Sequence, residues 1–137
     1  MTVLTPAYNR AGFIAEAVKS VLNQSYGNIE YIVVDDGSSD GTFEILQEYE
    51  AAGKLTLLTH ENHSNRGQSA ALNVGLRAAN GRYLVILDSD DLLHPEKLSR
   101  QVEFLENNTE VGMVYGQAMA TSEDGRELFP IPGDGHV

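Results

Sequence analysis

The order of the apolar segments constrains this chain most. Short aliphatic or β-branched runs alternate with longer segments whose apolar residues recur at helical spacing. "TVLT" reads as a strand that runs into "PAYNR". "FIAEAVKSVLNQ" follows, with Ile14, Ala17, Val18, Val21 and Leu22 on one helical stripe. "IEYIVVDD" reads as a buried strand. "GSSDGT" breaks the pattern, and Asp40 or Thr42 suits the cap of the next helix, "FEILQEYEAA", which stops at Gly53. "KLTLLTHE" is a third strand. "GQSAALNVGLRAANG" is a helix rich in small residues, expected to close on a left-handed Asn80-Gly81 cap. "RYLVILD" is a fourth strand, expected to be buried along its apolar run Leu84 to Leu87, and "VGMVYGQAMA" is a fifth. Between them Pro95 takes the first helical position of a helix carrying Leu98, Val102 and Leu105. Asp124-Gly125 signals a hairpin turn. The order βαβαβαβαβ predicts an α/β fold, a mainly parallel sheet with helices on both faces. Its 137 residues suit a single domain. The first strand starts almost at Met1 and the tail "FPIPGDGHV" has no element of its own, so the expectation is a domain taken from a longer protein.

In open α/β sheets ligands bind beyond the carboxyl ends of the strands. Three such ends are chemically unusual: "TPAYNR", "VVDDGSSDGT" and "LDSDD". The last sets Asp88, Asp90 and Asp91 within four positions of a chain whose formal charge is already −11. Such acids repel one another unless they are solvated or a cation lies between them. The acidic balance argues against nucleic acid as a partner. No Gly-x-Gly-x-x-Gly or P-loop offers a phosphate cradle, and "SNRGQS" is a weak anion signal. A diphosphate ligand therefore needs a counter-charge, and Mg²⁺ or Mn²⁺ held by one or two carboxylates supplies it. Asp88 and Asp90 alternate along a strand, so both are expected on one side. A calcium loop is excluded, because Leu92 and Leu93 stand where an EF-hand needs an oxygen ligand and a glycine. The absence of cysteine excludes disulfides, zinc–thiolate sites and thiol nucleophiles. No apolar run reaches membrane-spanning length.

Blander readings compete. Loop acids are usually solvated. A turn and helix cap account for Gly37, Asp40 and Gly41 but leave Asp36 less explained. Tyr8 suits a core tyrosine as well as a ligand contact. His60, His63 and His94 show no helical pairing and are read as ordinary surface or loop residues, and His136 lies in the tail.

"TPAYNR", "VVDDGSSDGT", "NRGQSAALNVG" and "LDSDDLLHPEKL", in this order and spacing, resemble the nucleotide-binding part of family 2 glycosyltransferases with the GT-A fold. The resemblance covers residues 2 to 117. It implies that Pro6, Ala7 and Tyr8 border the nucleobase and that Asp36 accepts a hydrogen bond from it, commonly from uracil. It implies that Asp88 meets the ribose or the sugar-nucleotide and that Asp90 ligates Mn²⁺ or Mg²⁺ on the diphosphate. Asp91 then belongs to the local scaffold. Gln68, with Arg66 close by, stands where some relatives carry a basic residue that reaches the nucleotide. The implied activity is metal-dependent, inverting transfer of a sugar from a nucleotide-diphosphate donor, a UDP-sugar, to a glycan or lipid-linked acceptor. The general base is expected in an acceptor-binding part beyond the chain end, with Glu123 and Asp124 set aside as turn residues. The expected location is the cytoplasm, at the inner face of the membrane where missing parts of the parent attach it. A nucleotidyltransferase, an aspartate phosphotransferase and a nucleotide-binding module without independent catalysis are the alternatives.

Overall fold

A computed structural model describes residues 1–122 and 126–131. The chain divides into two compact units, residues 1–100 and 101–137. In the first unit β1 (Thr2–Ala7), α1 (Ile14–Leu22), β2 (Glu30–Asp35), α2 (Thr42–Ala51), β3 (Thr56–Thr59), a 3₁₀ turn (Glu61–His63), α3 (Gln68–Ala78) and β4 (Leu84–Ile86) follow one another. The sheet order is β3-β2-β1-β4, and every pairing is parallel.

That order fixes where the helices go. The chain steps outward from β1 to β3, then returns across the sheet to β4. Right-handed crossovers place α1 and α2 on one face and the returning α3 on the other. Accordingly α1 touches α2, while α3 packs across β1, β2 and β3. Leu4, Ile32 and Val34 meet Ala71 of α3, with Leu58, Leu72 and Val74 closing the rim. Strand alternation sends Val3, Thr5, Tyr31 and Val33 to the opposite face, where all are buried. There Thr5 Oγ1 lies 3.2 Å from the Tyr31 hydroxyl. Burial pushes that phenol up to about 12, against the lowering effect of the Thr5 contact. Gly75 allows the close approach of α3, since a Cβ there would lie 2.1 Å from Leu4 Cδ1.

Pro6 shapes the middle of the sheet. The β4 ladder on β1 uses the Thr2 amide, which donates to Tyr83 O at 2.8 Å, and the Leu4 carbonyl, which accepts from the Leu87 amide at 3.0 Å. The next donor on that edge would be residue 6, and proline has none. Pairing with β4 stops there, whereas pairing with β2 continues to Ala7↔Asp35. The carboxyl ends of β1 and β4 are thus free to part at the point where the strand order reverses.

Several sequence expectations need correction. Leu84 and Ile86 are 41 % and 51 % exposed, so β4 is a short, half-open edge strand and not a buried one. Its outer side has no strand neighbour among the described residues. Leu22 leaves the buried stripe of α1, whose inner face is Ile14, Ala17, Val18 and Val21. α3 does not end on a left-handed Asn80-Gly81 cap. Its C-terminus turns extended at Ala79, and the amide and side chain of Asn80 are taken up by Glu30. Gly81 is required by space instead, because a Cβ would lie 2.4 Å from the Thr2 amide nitrogen. α2 does end as expected, with Gly53 at φ +67° and the Lys54 amide donating to Tyr49 O. Pro95 lies just ahead of α4 (Lys97–Asn107), in the preceding turn.

The expected fifth parallel strand is the largest difference. Residues 111–117 form no strand. β5 (Ala118–Thr121) pairs antiparallel with β6 (Glu127–Ile131) in a separate two-stranded sheet. A hairpin partner a few residues away needs little loop-closure entropy, and periodicity does not distinguish that pairing from a crossover into a distant sheet. The hairpin itself was expected. Its turn, with Glu123 and Asp124, lies outside the described residues, as does His136.

Candidate functional site

The loop leaving β1 is stitched to the loop leaving β2. Asn9 takes the left-handed region at φ 50°, its amide donates to Ser38 Oγ at 3.0 Å, and its Oδ1 accepts the Ser39 amide at 2.9 Å. The Arg10 amide donates to Thr42 Oγ1 at 2.7 Å, and the Ala11 amide to Asp40 Oδ2 at 3.0 Å. Asp40 Oδ1 takes the Thr42 hydroxyl and amide. The Thr42 hydroxyl first, then the Ala11 amide, hold this carboxyl below its usual range. Asp40 is thus a clamp that presents Tyr8 and Arg10.

The two acids ending β2 point to opposite sides and do different work. Asp35 is fully buried. Its Oδ2 accepts the Gly37 and Ser38 amides at 3.1 and 3.0 Å and lies 2.6 Å from His63 Nε2, while its Oδ1 has no hydrogen-bond partner among the described residues. Asp36 accepts the Arg66 amide at 2.7 Å and the Gly67 amide at 2.8 Å, one on each oxygen. Buried His60 brings Nε2 to 3.2 Å of Asp36 Oδ1 without hydrogen-bond alignment. This overturns the reading of His60 and His63 as ordinary surface or loop residues. Both sit beside the β2 acids, with the His63 ring also 4.4 Å from that of Phe43. No local pattern announces this, since each pairing joins loops far apart in sequence. His94 is exposed, as expected.

The same contacts fix the loop before α3. A Cβ on Gly37 would lie 2.7 Å from the Asn65 nitrogen, so the turn after β2 abuts the 63–65 backbone. Gln68, the first residue of α3, then reaches Asp88 Oδ1 with Nε2 at 3.1 Å.

Asp88 and Asp90 do come together, but not by strand alternation. β4 ends at Ile86, and residues 89–90 form a turn closed by the Asp91 amide on Asp88 O at 3.1 Å. The far end of this loop is pinned to α1: the Leu93 amide donates to Ser20 Oγ, and Gln24 bonds both His94 O and the Leu98 amide. Partial burial first, then the charges of Asp88 and Asp90, raise the Asp91 carboxyl above its usual range. Arg10 Nε stands 3.2 Å from Asp90 Oδ2.

These residues enclose one cleft of about 530 Å³. Pro6, Ala7, Tyr8 and Arg10 form one wall and Asp88, Ser89 and Asp90 another. Asp36, Asn65, Gly67 and Gln68 complete it. Every residue singled out from the sequence as a nucleotide or metal contact lines it. Arg10 and Asn65 line it as well, and the sequence reading did not single them out as contacts. Among the described residues no group of three or more His, Asp or Glu side chains forms a metal cage. The donor set fits instead an ion held by one or two carboxylates, with phosphate oxygens and water in its remaining positions.

The family model for glycosyl transferase family 2 matches residues 2–132. The chain is 43 % identical over 105 residues to TuaG of Bacillus subtilis, whose name assigns it provisionally to teichuronic acid biosynthesis as a glycosyltransferase. The match covers 77 % of this chain and 41 % of TuaG. Glycosyltransferase GlyG of Streptococcus pneumoniae is 32 % identical over 136 residues, with 97 % and 44 % of the two chains covered. The chain thus spans less than half the length of these relatives. Staphylococcus aureus TarS 1-349 in complex with UDP-GlcNAc superposes with a TM-score of 0.72 at 31 % identity, covering 79 % of this chain and 31 % of that one. The mannosyltransferase PcManGT of Pyrobaculum calidifontis, in complex with GDP-Man and Mn²⁺, gives 0.68 at 36 % identity, covering 79 % and 32 %.

Proposed function

The chain belongs to glycosyl transferase family 2, and from that premise we propose that its cleft holds the nucleoside diphosphate sugar whose sugar is passed, with inversion, to the hydroxyl of a glycan or lipid-linked acceptor. The observation that carries this reading is convergence. Segments from the ends of β1, β2 and β4 and the start of α3 meet around one cleft at the strand-order reversal, where such sheets bind ligands.

The roles follow from the chemistry of the walls. Pro6, Ala7 and Tyr8 offer an apolar edge and an aromatic ring to a nucleobase. Asp36 keeps acceptor capacity after taking two backbone amides, because a carboxylate has about four lone-pair sites. It accepts a base N–H, for which uracil is our assignment. Gln68 and Asp88 lie together and take the ribose and the sugar-proximal part of the donor. Asp90 is the ligand of a Mn²⁺ or Mg²⁺ ion, with Asp88 beside it. Held there, such an ion would supply Lewis-acid charge to the diphosphate leaving group. UDP-GlcNAc, GDP-Man and Mn²⁺ in the structural neighbours support this donor chemistry. None of the described cleft residues is assigned as the general base.

Titration calorimetry with UDP and GDP, each with Mn²⁺ or with EDTA, tests the reading. UDP should bind more tightly with the metal, and Asp90→Asn should remove most of the difference. Equal UDP affinity in both buffers would sink the metal assignment, and a preference for GDP would overturn the base assignment.

A further inference from the structure

Arg10 has no place in the roles above. It is the one cationic side chain among the described residues lining the cleft, whose lining also includes Asp36, Asp88 and Asp90. Its backbone is fixed by the Thr42 hydroxyl. Its guanidinium is held more loosely: the side chain is 43 % exposed, only Nε reaches Asp90, and Nη1 donates to Asn9 O at 3.1 Å and, at the outer limit of a hydrogen bond, to Tyr8 O at 3.5 Å. A monodentate, half-exposed pair of this kind is weak and easily exchanged.

The oxygen it touches belongs to the side chain assigned to the metal. Two cations cannot share Asp90 Oδ2 at bonding distance without strong repulsion. We propose that Arg10 is a built-in counter-cation and positioning residue: it occupies Asp90 when the cleft is empty, opposes binding of the metal alone, and moves onto the donor's diphosphate when metal and nucleotide arrive together. The inference rests on the reading that Asp90 holds the ion. A guanidinium displaced by a lone divalent cation stays beside that cation and gains nothing. With a diphosphate present it gains a planar, paired contact to phosphate oxygens. Metal and nucleotide therefore bind cooperatively. By linkage each raises the affinity of the other by one factor, of order 5- to 150-fold for couplings of this type.

The test separates the two ligands. Mn²⁺ alone is titrated into the 137-residue chain, with free Mn²⁺ followed by electron paramagnetic resonance. UDP is then titrated at saturating Mn²⁺. Arg10→Gln should bind Mn²⁺ alone several-fold more tightly than the parent, yet bind UDP at saturating Mn²⁺ about tenfold more weakly. A residue that merely supports the loop would lower both affinities together. Arg10→Lys keeps the charge and should leave Mn²⁺ alone as weakly bound as in the parent. Unchanged or weaker Mn²⁺ binding by Arg10→Gln overturns the proposal, as does an Arg10→Lys variant that behaves like Arg10→Gln. Thermal melts of both variants check that the fold is kept. If the parent chain itself shows no metal-dependent UDP binding, the metal reading of the cleft fails instead, and that outcome is visible before any variant is made.

Discussion

Asp36 is at once a wall of the cleft and the anchor of the loop before α3, and replacing it by alanine exposes both roles. Its carboxylate takes the amides of Arg66 and Gly67, thirty and thirty-one residues away, at 2.7 and 2.8 Å. The side chain is almost wholly buried. A hydrogen bond to a charged group contributes about 1.5–3 kcal/mol. Two of them give about 3–6 kcal/mol, and the lower end is the better figure because the freed amides are only partly buried and water reaches them. Against a total stability of about 5–15 kcal/mol, that is a large fraction. With a urea slope of about 1–3 kcal/mol/M, a 3 kcal/mol loss lowers the unfolding midpoint by at least about 1 M. The damage should also be local first. Amide exchange at Arg66 and Gly67 should accelerate under conditions where Val33, fully buried in β2, still exchanges slowly. UDP affinity should fall with Mn²⁺ and with EDTA alike, because the proposed contact is with the base and not the metal. A midpoint shift below about 0.5 M, with protection at 66 and 67 unchanged, would refute the account of Asp36 as the loop's anchor.

Two further outcomes follow from contacts far from the cleft. The Asn80 amide and side chain, then the Thr2 hydroxyl, lower the Glu30 carboxyl from 4.5 to about 2. A depressed folded value means stabilisation that is present above the ordinary glutamate range and lost as the pH falls toward about 2. Glu30→Gln should therefore be less stable than the parent at neutral pH, with the gap closing in acid melts, and a gap independent of pH would contradict the assignment. Gly81→Ala should cost more than Gly75→Ala in thermal melts. The added Cβ at 81 meets the backbone of Met1 and Thr2, which cannot change rotamer, whereas at 75 it meets the side chain of Leu4. At 75 the penalty for overpacking, about 1–3 kcal/mol, is partly offset by the gain of about 1 kcal/mol from replacing glycine in a helix. The reverse order would show that the N-terminal strand shifts freely.

The alternation of elements was legible in the sequence because it is written in local periodicity. Apolar residues at spacing two or near 3.6 have one way to be buried, and β1, α1, β2, α2 and α3 follow from that alone. Much of the cleft was legible too. Pro6 near the end of β1, Tyr8, Asp36, Asp88 and Asp90 just past a strand, and Gln68 at a helix start all stand where a parallel sheet brings segment ends to one rim. What strands and helices pair with is not written locally. The apolar run Leu84–Leu87 reads as buried, but burial depends on a neighbour beyond β4, and no described strand supplies one. "VGMVYGQAMA" reads as another parallel strand, yet only its last residues extend, and they pair with the nearby β6.

The side-chain contacts between loops belong wholly to the tertiary structure. In sequence Asp35 and Asp36 are adjacent acids of which only Asp36 is singled out, chiefly by the family resemblance, and His60 and His63 are two unpaired histidines. The fold separates the acids: strand geometry turns one into the interior against His63 and the other toward the cleft and the 66–67 backbone. Arg10 is the clearest case. Eighty positions separate it from Asp90, and nothing in composition or spacing joins them. Only the return of the chain from β3 to β4, beside β1, sets a guanidinium against that carboxylate. Short-range order is fixed by which residues must be buried. Opposite charges meet across a cleft only after the chain has chosen where to cross back.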